Sequence, residues 1–272
     1  MQHKQLGVYI GTNYCGIPTV ADDVTLISHD PMELQIMLNV QAEHANSKRY
    51  LVSQQKSSIV VMNGSQNYEW TFNNENLPVS ESVTHLGIQR CSNITATSKK
   101  TIENRIITAR KTIFSLMGAG LHGLNGVNPK VSIHLLQTYV TPRLLYGLEI
   151  LSLTLGDIRN PELYFKKLQK QIQHLSDLTA NAATYLLLGR IPVEGVLHKR
   201  ILITFGNIIR NINSVEKDIA FRQLALKSPN SYSWSSMGPA IKLAGGGYGF
   251  SFCSEFFFRT TRELEYLFFL SR

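Results

Sequence analysis

Charge is scarce in this chain and cysteine scarcer still. Only 17% of its 272 residues are Asp, Glu, Lys or Arg, and the three cysteines, Cys15, Cys91 and Cys253, stand far apart. An odd number with no CxxC pair excludes a disulfide framework and a zinc site of the usual spacing, so reduced thiols are expected. No apolar run reaches the roughly 18 residues that a membrane-spanning helix needs. The opening MQHKQLGVYIG has no apolar stretch of signal-peptide length, which predicts an intracellular chain, in nucleus or cytoplasm, without a membrane partner. Residues 1–21 contain no Asp or Glu, and there is no internal repeat or low-complexity tract.

With 43% hydrophobic residues the chain can bury a sizeable core. Its net charge of +8 is uneven: Lys99 to Arg210 holds 15 Lys and Arg against 6 Asp and Glu, a net of +9, which leaves the remainder at −1. A near-neutral segment joined to a basic one suggests a catalytic or structural part beside a part that meets polyanions. A merely solvated basic surface accounts for the charge equally well.

The pattern is strands first and helices second, an α+β chain. LGVYIGT reads as a strand, NYCG as a turn, and IPTV and VTLIS as strands meeting at Ala21, Asp22 and Asp23. Asp30 as cap, Pro31 at the first helical position and Glu33 completing a capping box open an amphipathic helix to about Lys48. SSIVVMN, YEWTFN and THLGIQ read as further strands, separated by turns at NGSQ, NNEN and VSES. Beyond Asn93 the period changes to helical. Ile102, Ile106, Ala109, Ile113 and Leu116 form an apolar stripe, opposite Lys100, Asn104 and Lys111. GLHGLNGVNP is a linker. Further helices are expected from Lys130 to Tyr146 with a bend near Pro142, from Asn160 and Pro161, from a cap at Thr179 to Gly189, and from Pro192 to Arg210. The tail after Ser228 is poorly specified by its composition, with a short helix expected at its end.

Two adjacent carboxylates on a tight turn repel each other unless a cation sits nearby. Hard oxygen ligands of this kind suit Mg²⁺, which takes one or two carboxylates and fills its shell with substrate phosphates and water. Two such ions clamp the attacking and leaving oxygens in nucleotidyl transfer. Taken alone, however, Ala-Asp-Asp is also ordinary turn chemistry.

The ordered set PTVADDVTLIS, capped helix, VSQQKSSIVVMN and VTHLGIQ resembles the second half of a reverse transcriptase palm of the non-LTR retrotransposon type. NRIITARKTIFSLMG looks like that family's thumb helix. LLQTYVTPRLLYGLEIL, YLLLGRIPVEGVLHKRILITFGNIIR and FRQLALKSPNSYSW look like the segments that follow it. The resemblance covers most of residues 6–235 and implies RNA-directed DNA polymerase chemistry on an RNA template and a DNA primer. It makes Asp22 the Mg²⁺ ligand, Asp23 its neighbour and Lys56 the lysine near the incoming nucleotide. It also makes His85, Leu86 and Gly87 a primer-grip turn, and sets Lys99, Lys100, Arg105, Arg110 and Lys111 along the template–primer backbone. The implied organisation is 1–63 palm with the carboxylate hairpin, 64–95 primer-grip-like strands, 96–157 thumb, 158–235 post-thumb helices and 236–272 tail.

Two departures qualify it. Val20 stands where the family usually has an aromatic residue, and the family's second aspartate, from an upstream palm strand, has no counterpart among residues 1–21. The expectation is therefore a truncated reverse transcriptase with an incomplete two-ion site. The alternatives are a non-catalytic nucleic-acid binder and a helical relic whose unpaired strand edges favour aggregation. His44, His122, His134 and His198 lack ligand spacing and read as surface or partly buried side chains. AGGGYG lacks the Lys-Ser or Lys-Thr of a phosphate loop and reads as a connector.

Overall fold

The structure is a computed structural model that describes residues 5–62, 64, 68–121, 126–151, 153–225 and 266–270. His122, Cys253, AGGGYG and the tail up to residue 265 lie outside the described residues. The fold is mixed α+β with short antiparallel strand pairs. It divides into two compact units, one reaching Thr97 and including the C-terminal strand, the other beginning at Ser98.

In the first unit, β1 (Tyr9–Ile10) and β2 (Asn13–Tyr14) form a hairpin. The turn lies at Gly11 and Thr12, so NYCG is not the turn: Asn13 and Tyr14 already belong to the returning strand. Gly7 and Gly16 pinch the base of this hairpin. A Cβ on Gly7 would lie 2.9 Å from the Gly16 Cα, and Gly7 has φ of +92°, so no side chain fits there. Strands β3 (Thr19–Val20) and β4 (Asp23–Ser28) follow, then helix α1 (Pro31–Lys48) and β5 (Ser58–Val61).

The end of the tail is a strand, β10 (Tyr266–Leu270), not a short helix. Five residues are too few for a helix to hold itself, whereas Tyr-Leu-Phe-Phe-Leu favours extended backbone. It runs between β4 and β5 in the order β3-β4-β10-β5, antiparallel to both. β4 and β5 are thus parallel to one another, and α1 is the crossover that parallel strands require.

Alternation along these strands builds two cores. Val24, Leu26, Ile59 and Val61 pack with Leu34, Met37, Leu38 and Ala42 of α1, closed by Trp70, Phe72 and Leu77. Ile27, Val60 and Met62 pack on the other side with Val8 and the half-buried Val83. One edge of this sheet, β3, is exposed, while β4 and β5 find backbone partners beyond β10. Thr25 N donates to Pro18 O (3.0 Å) and Ile27 N to Gly16 O (2.9 Å), while Ile59 N donates to Pro78 O (3.0 Å) and Ser80 N to Ile59 O (2.8 Å).

Helix α1 begins where expected, with Asp30 accepting from Glu33 N at 2.8 Å. The return half of the capping box is absent, because the Glu33 carboxylate accepts instead from Gly7 N (2.9 Å) and the Ser28 hydroxyl. Gln35 pairs both ways with Thr71 in β6 (Thr71–Phe72), which turns into β7 (Glu75–Asn76). THLGIQ is a hairpin, not one strand: β8 (Ser82–His85) and β9 (Ile88–Cys91).

The second unit is helical. Helix α2 (Ile94–Met117) buries Ile102, Ala109 and Ile113 of the expected stripe. α3 (Pro129–Leu135) continues through a π turn into α4 (Thr141–Leu145). The π turn answers Pro142, which cannot donate. The Thr141 hydroxyl bonds Leu136 O (3.0 Å) and Arg143 bonds Tyr139 O (2.7 Å).

Helix α5 (Leu155–Ile172) starts before Asn160, because Thr154 and Asp157 make a complete capping box that outweighs the bond lost at Pro161. α6 (Asn181–Leu187) is preceded by Ala180 as cap, not Thr179. α7 (Val193–Arg210) follows Pro192 as expected, and α8 (Val215–Ala225) was not foreseen. Glu162 of α5 ties three of these together. It accepts from Val193 N (2.8 Å) at the start of α7 and from the Tyr185 hydroxyl of α6, and it pairs with Lys166 at 3.3 Å.

Candidate functional site

Asp22 and Asp23 sit at the tip of the β3–β4 hairpin. Val20 pairs with Asp23, leaving a two-residue loop of Ala21 and Asp22. Ala21 has φ of +54° and Asp22 does not share the positive sign, the pattern of a type II′ turn that normally takes Gly at this point. A non-glycine residue in that region costs about 1–2 kcal/mol. Asp22 is exposed. Asp23, the first residue of β4, is half-buried and on the same strand face as Thr25 and Ile27.

A second hairpin reaches this face. Its tip is Leu86 and Gly87, at φ of +49° and +76°, a type I′ turn closed by the His85–Ile88 pair. His85 Nε2 lies 3.3 Å from the Thr25 hydroxyl, two residues along β4 from Asp23. Burial, helped by the nearby Arg90 guanidinium and opposed by Asp23, holds His85 below the ordinary imidazole value. It is therefore neutral at pH 7. Arg90 faces the same side of the hairpin from β9, opposite Val83, and burial pushes its guanidinium down to about 10, so it remains charged. The hairpin thus sets a neutral imidazole and a cation beside the carboxylate strand.

Lys56 is placed by register. Thr25 and Ser58 both pair with Phe269 of β10, so β4 and β5 begin at the same end of the sheet. Lys56, exposed in a 3-10 turn at Gln54–Lys56, precedes Ser58 by the two residues that separate Asp23 from Thr25. It therefore leads into β5 at the same end of the sheet as the carboxylate hairpin. Asp22, Asp23, Lys56 and the His85–Leu86–Gly87 turn thus converge on one end of one sheet.

As a cation site the arrangement is thin. Two adjacent carboxylates fit one Mg²⁺ that draws its other ligands from water and phosphate oxygens. Among the described residues no group of three or more His, Cys, Asp and Glu could hold a metal, so nothing there completes a two-ion clamp.

The basic residues of α2 divide. Lys99, Lys100, Arg110 and Lys111 are exposed. Arg105 is half-buried, with its guanidinium 4.6 Å over the Tyr146 ring and Glu149 close by, so it braces α2 inside the helical unit. Of the other histidines, His44 lies 3.0 Å from the Tyr50 hydroxyl, His134 is exposed and burial lowers the half-buried His198.

Thr25 and Arg90 join the site without having been singled out from sequence. Their only signal was polarity inside strand-like runs, VTLIS and GIQRC. No family model, no curated protein and no solved structure matches the chain.

Proposed function

We propose that the first unit is the carboxylate-hairpin part of an RNA-directed DNA polymerase palm of the non-LTR retrotransposon type, and that the helical unit holds RNA template and DNA primer. One observation carries the reading. Three motifs separated in sequence, the Asp22–Asp23 turn, Lys56 and the His85–Leu86–Gly87 turn, meet at one end of a sheet, with His85 hydrogen-bonded to the carboxylate strand. In this reading Asp22 and Asp23 hold one Mg²⁺ and Lys56 offsets phosphate charge. The His85 turn lies against the primer, and Lys99, Lys100, Arg110 and Lys111 follow the duplex backbone.

A second reading, nucleic-acid binding without chemistry, is favoured by the neighbour of β4. That neighbour is β10, whose residues Tyr266–Leu270 contain no carboxylate. The deciding experiment is primer extension on an RNA template with Mg²⁺, beside Asp22→Ala and beside hybrid binding between about 50 and 200 mM salt. Extension lost in Asp22→Ala establishes the polymerase. Salt-sensitive binding that Asp22→Ala leaves unchanged, without extension, establishes the second reading. A chain that neither extends nor binds overturns both.

A further inference from the structure

The first unit depends on a strand delivered from far along the chain. β10 pairs with β4 from Tyr266–Ser28 to Leu270–Val24, and with β5 from Tyr266–Val61 to Phe269–Ser58. The acceptor slot is local, built from residues 23–61 with α1 across it, whereas the donor lies about 200 positions further along the chain. Without β10, the inner backbone groups of β4 and β5 have no ladder partner on that side, which is costly for groups at the centre of a sheet. The slot therefore has a defined ligand chemistry: an extended, uncharged, aromatic-rich segment running antiparallel to both walls.

We propose that this slot is a strand-exchange site, and that its occupant in a dimer is the Tyr266–Leu270 strand of a second copy of this chain. A strand from the second copy would make the same ladder bonds as the strand from the first, in the same register. Exchange alters no pairing within residues 98–225. The balance between one chain and two is then set by the chain's own strand competing with that of a second copy for the same slot, which makes it depend on protein concentration. Identical-element exchange of this kind is a low-cost route to a two-fold dimer. The inference is independent of the polymerase reading, since it needs neither the carboxylates nor nucleic acid.

The test uses the full-length chain. Its mass in solution is followed from about 10 μM to 1 mM, and two isotopically distinct preparations are mixed and examined for cross-chain pairing. The expected result is a dimer fraction that rises with concentration and contains both isotopes. A chain that stays monomeric throughout overturns the exchange. In parallel, Phe268→Pro removes a central ladder donor, and its amide exchange is read at Val24–Ser28 and Ser58–Val61. Protection there is expected to fall at least tenfold and to return on adding a peptide of residues 262–272. Unchanged protection in Phe268→Pro shows that the strand is dispensable and overturns the proposal. If Phe268→Pro proves wholly unfolded, the mass and isotope measurements on the unaltered chain decide alone.

Discussion

Single side chains in this molecule are often committed to partners that sequence spacing does not suggest. Glu162 is the clearest case in the helical unit. Its carboxylate satisfies the backbone N–H of Val193, a donor that α7 cannot satisfy for itself, and the hydroxyl of Tyr185. Glu162→Ala leaves both donors without this partner, so the helical unit is expected to lose about 2–3 kcal/mol, read from its urea midpoint. Tyr14 offers a different test in the first unit. Its hydroxyl is buried without a hydrogen-bond partner among the described residues, and burial, with Tyr9, Glu33 and Cys15 adding, pushes it up to about 12. A folded value raised above the unfolded 10 means that the folded state resists ionisation. The contribution is whole below pH 10 and drains away as pH climbs towards 12. Tyr14→Phe is expected to flatten that alkaline loss in denaturant midpoints at pH 9–12, with unchanged or higher stability at pH 8. An alkaline loss identical in the variant would assign the effect elsewhere.

The informative elements are the two hairpins that meet at the sheet end, because both carry a non-glycine residue in a backbone region that favours glycine, Ala21 in one and Leu86 in the other. In the proposed polymerase reading, this strain is kept because the two tips face the primer and its nucleotide. Leu86 precedes Gly87 in a type I′ turn, for which Asn-Gly is the preferred pair. Leu86→Asn is accordingly expected to stabilise the first unit by about 0.5–1 kcal/mol while weakening retention of an RNA–DNA hybrid. Denaturant melts and filter binding read the two effects separately, and a variant that is more stable with undiminished binding removes Leu86 from the interface. At this scale much was legible. The Asp30 cap with Pro31, the carboxylate turn and the α2 stripe rest on residues within a few positions of one another, where spacing governs. What failed was competition between local and distant partners. Glu33 had the spacing for a capping box, yet the Gly7 amide and the Ser28 hydroxyl took its carboxylate. Asn160 and Pro161 looked like a helix start, yet Thr154 and Asp157 supplied a better one a turn and a half earlier.

Across the whole molecule, the illegible part was the long-range pairing. Nothing within residues 1–62 announces that β4 and β5 will stand apart with another strand between them, and nothing in an aromatic tail says which edges it will meet. The Thr25–His85 contact was hidden for the same reason, since the two residues lie 60 positions apart. The central strand also sets an order of events during synthesis. At about 5–20 residues per second, residues 62–265 take on the order of 10–40 s to emerge after β5 is complete. Through that interval the nascent first unit has α1 and three strands of the sheet, β3, β4 and β5, but not the strand that joins β4 to β5, while the helical unit is being made. Such a chain exposes its most apolar strands for longest where translation is slowest. A stalled ribosome between α8 and β10 would therefore hold a finished helical unit beside an unfinished sheet, a natural point for chaperone capture.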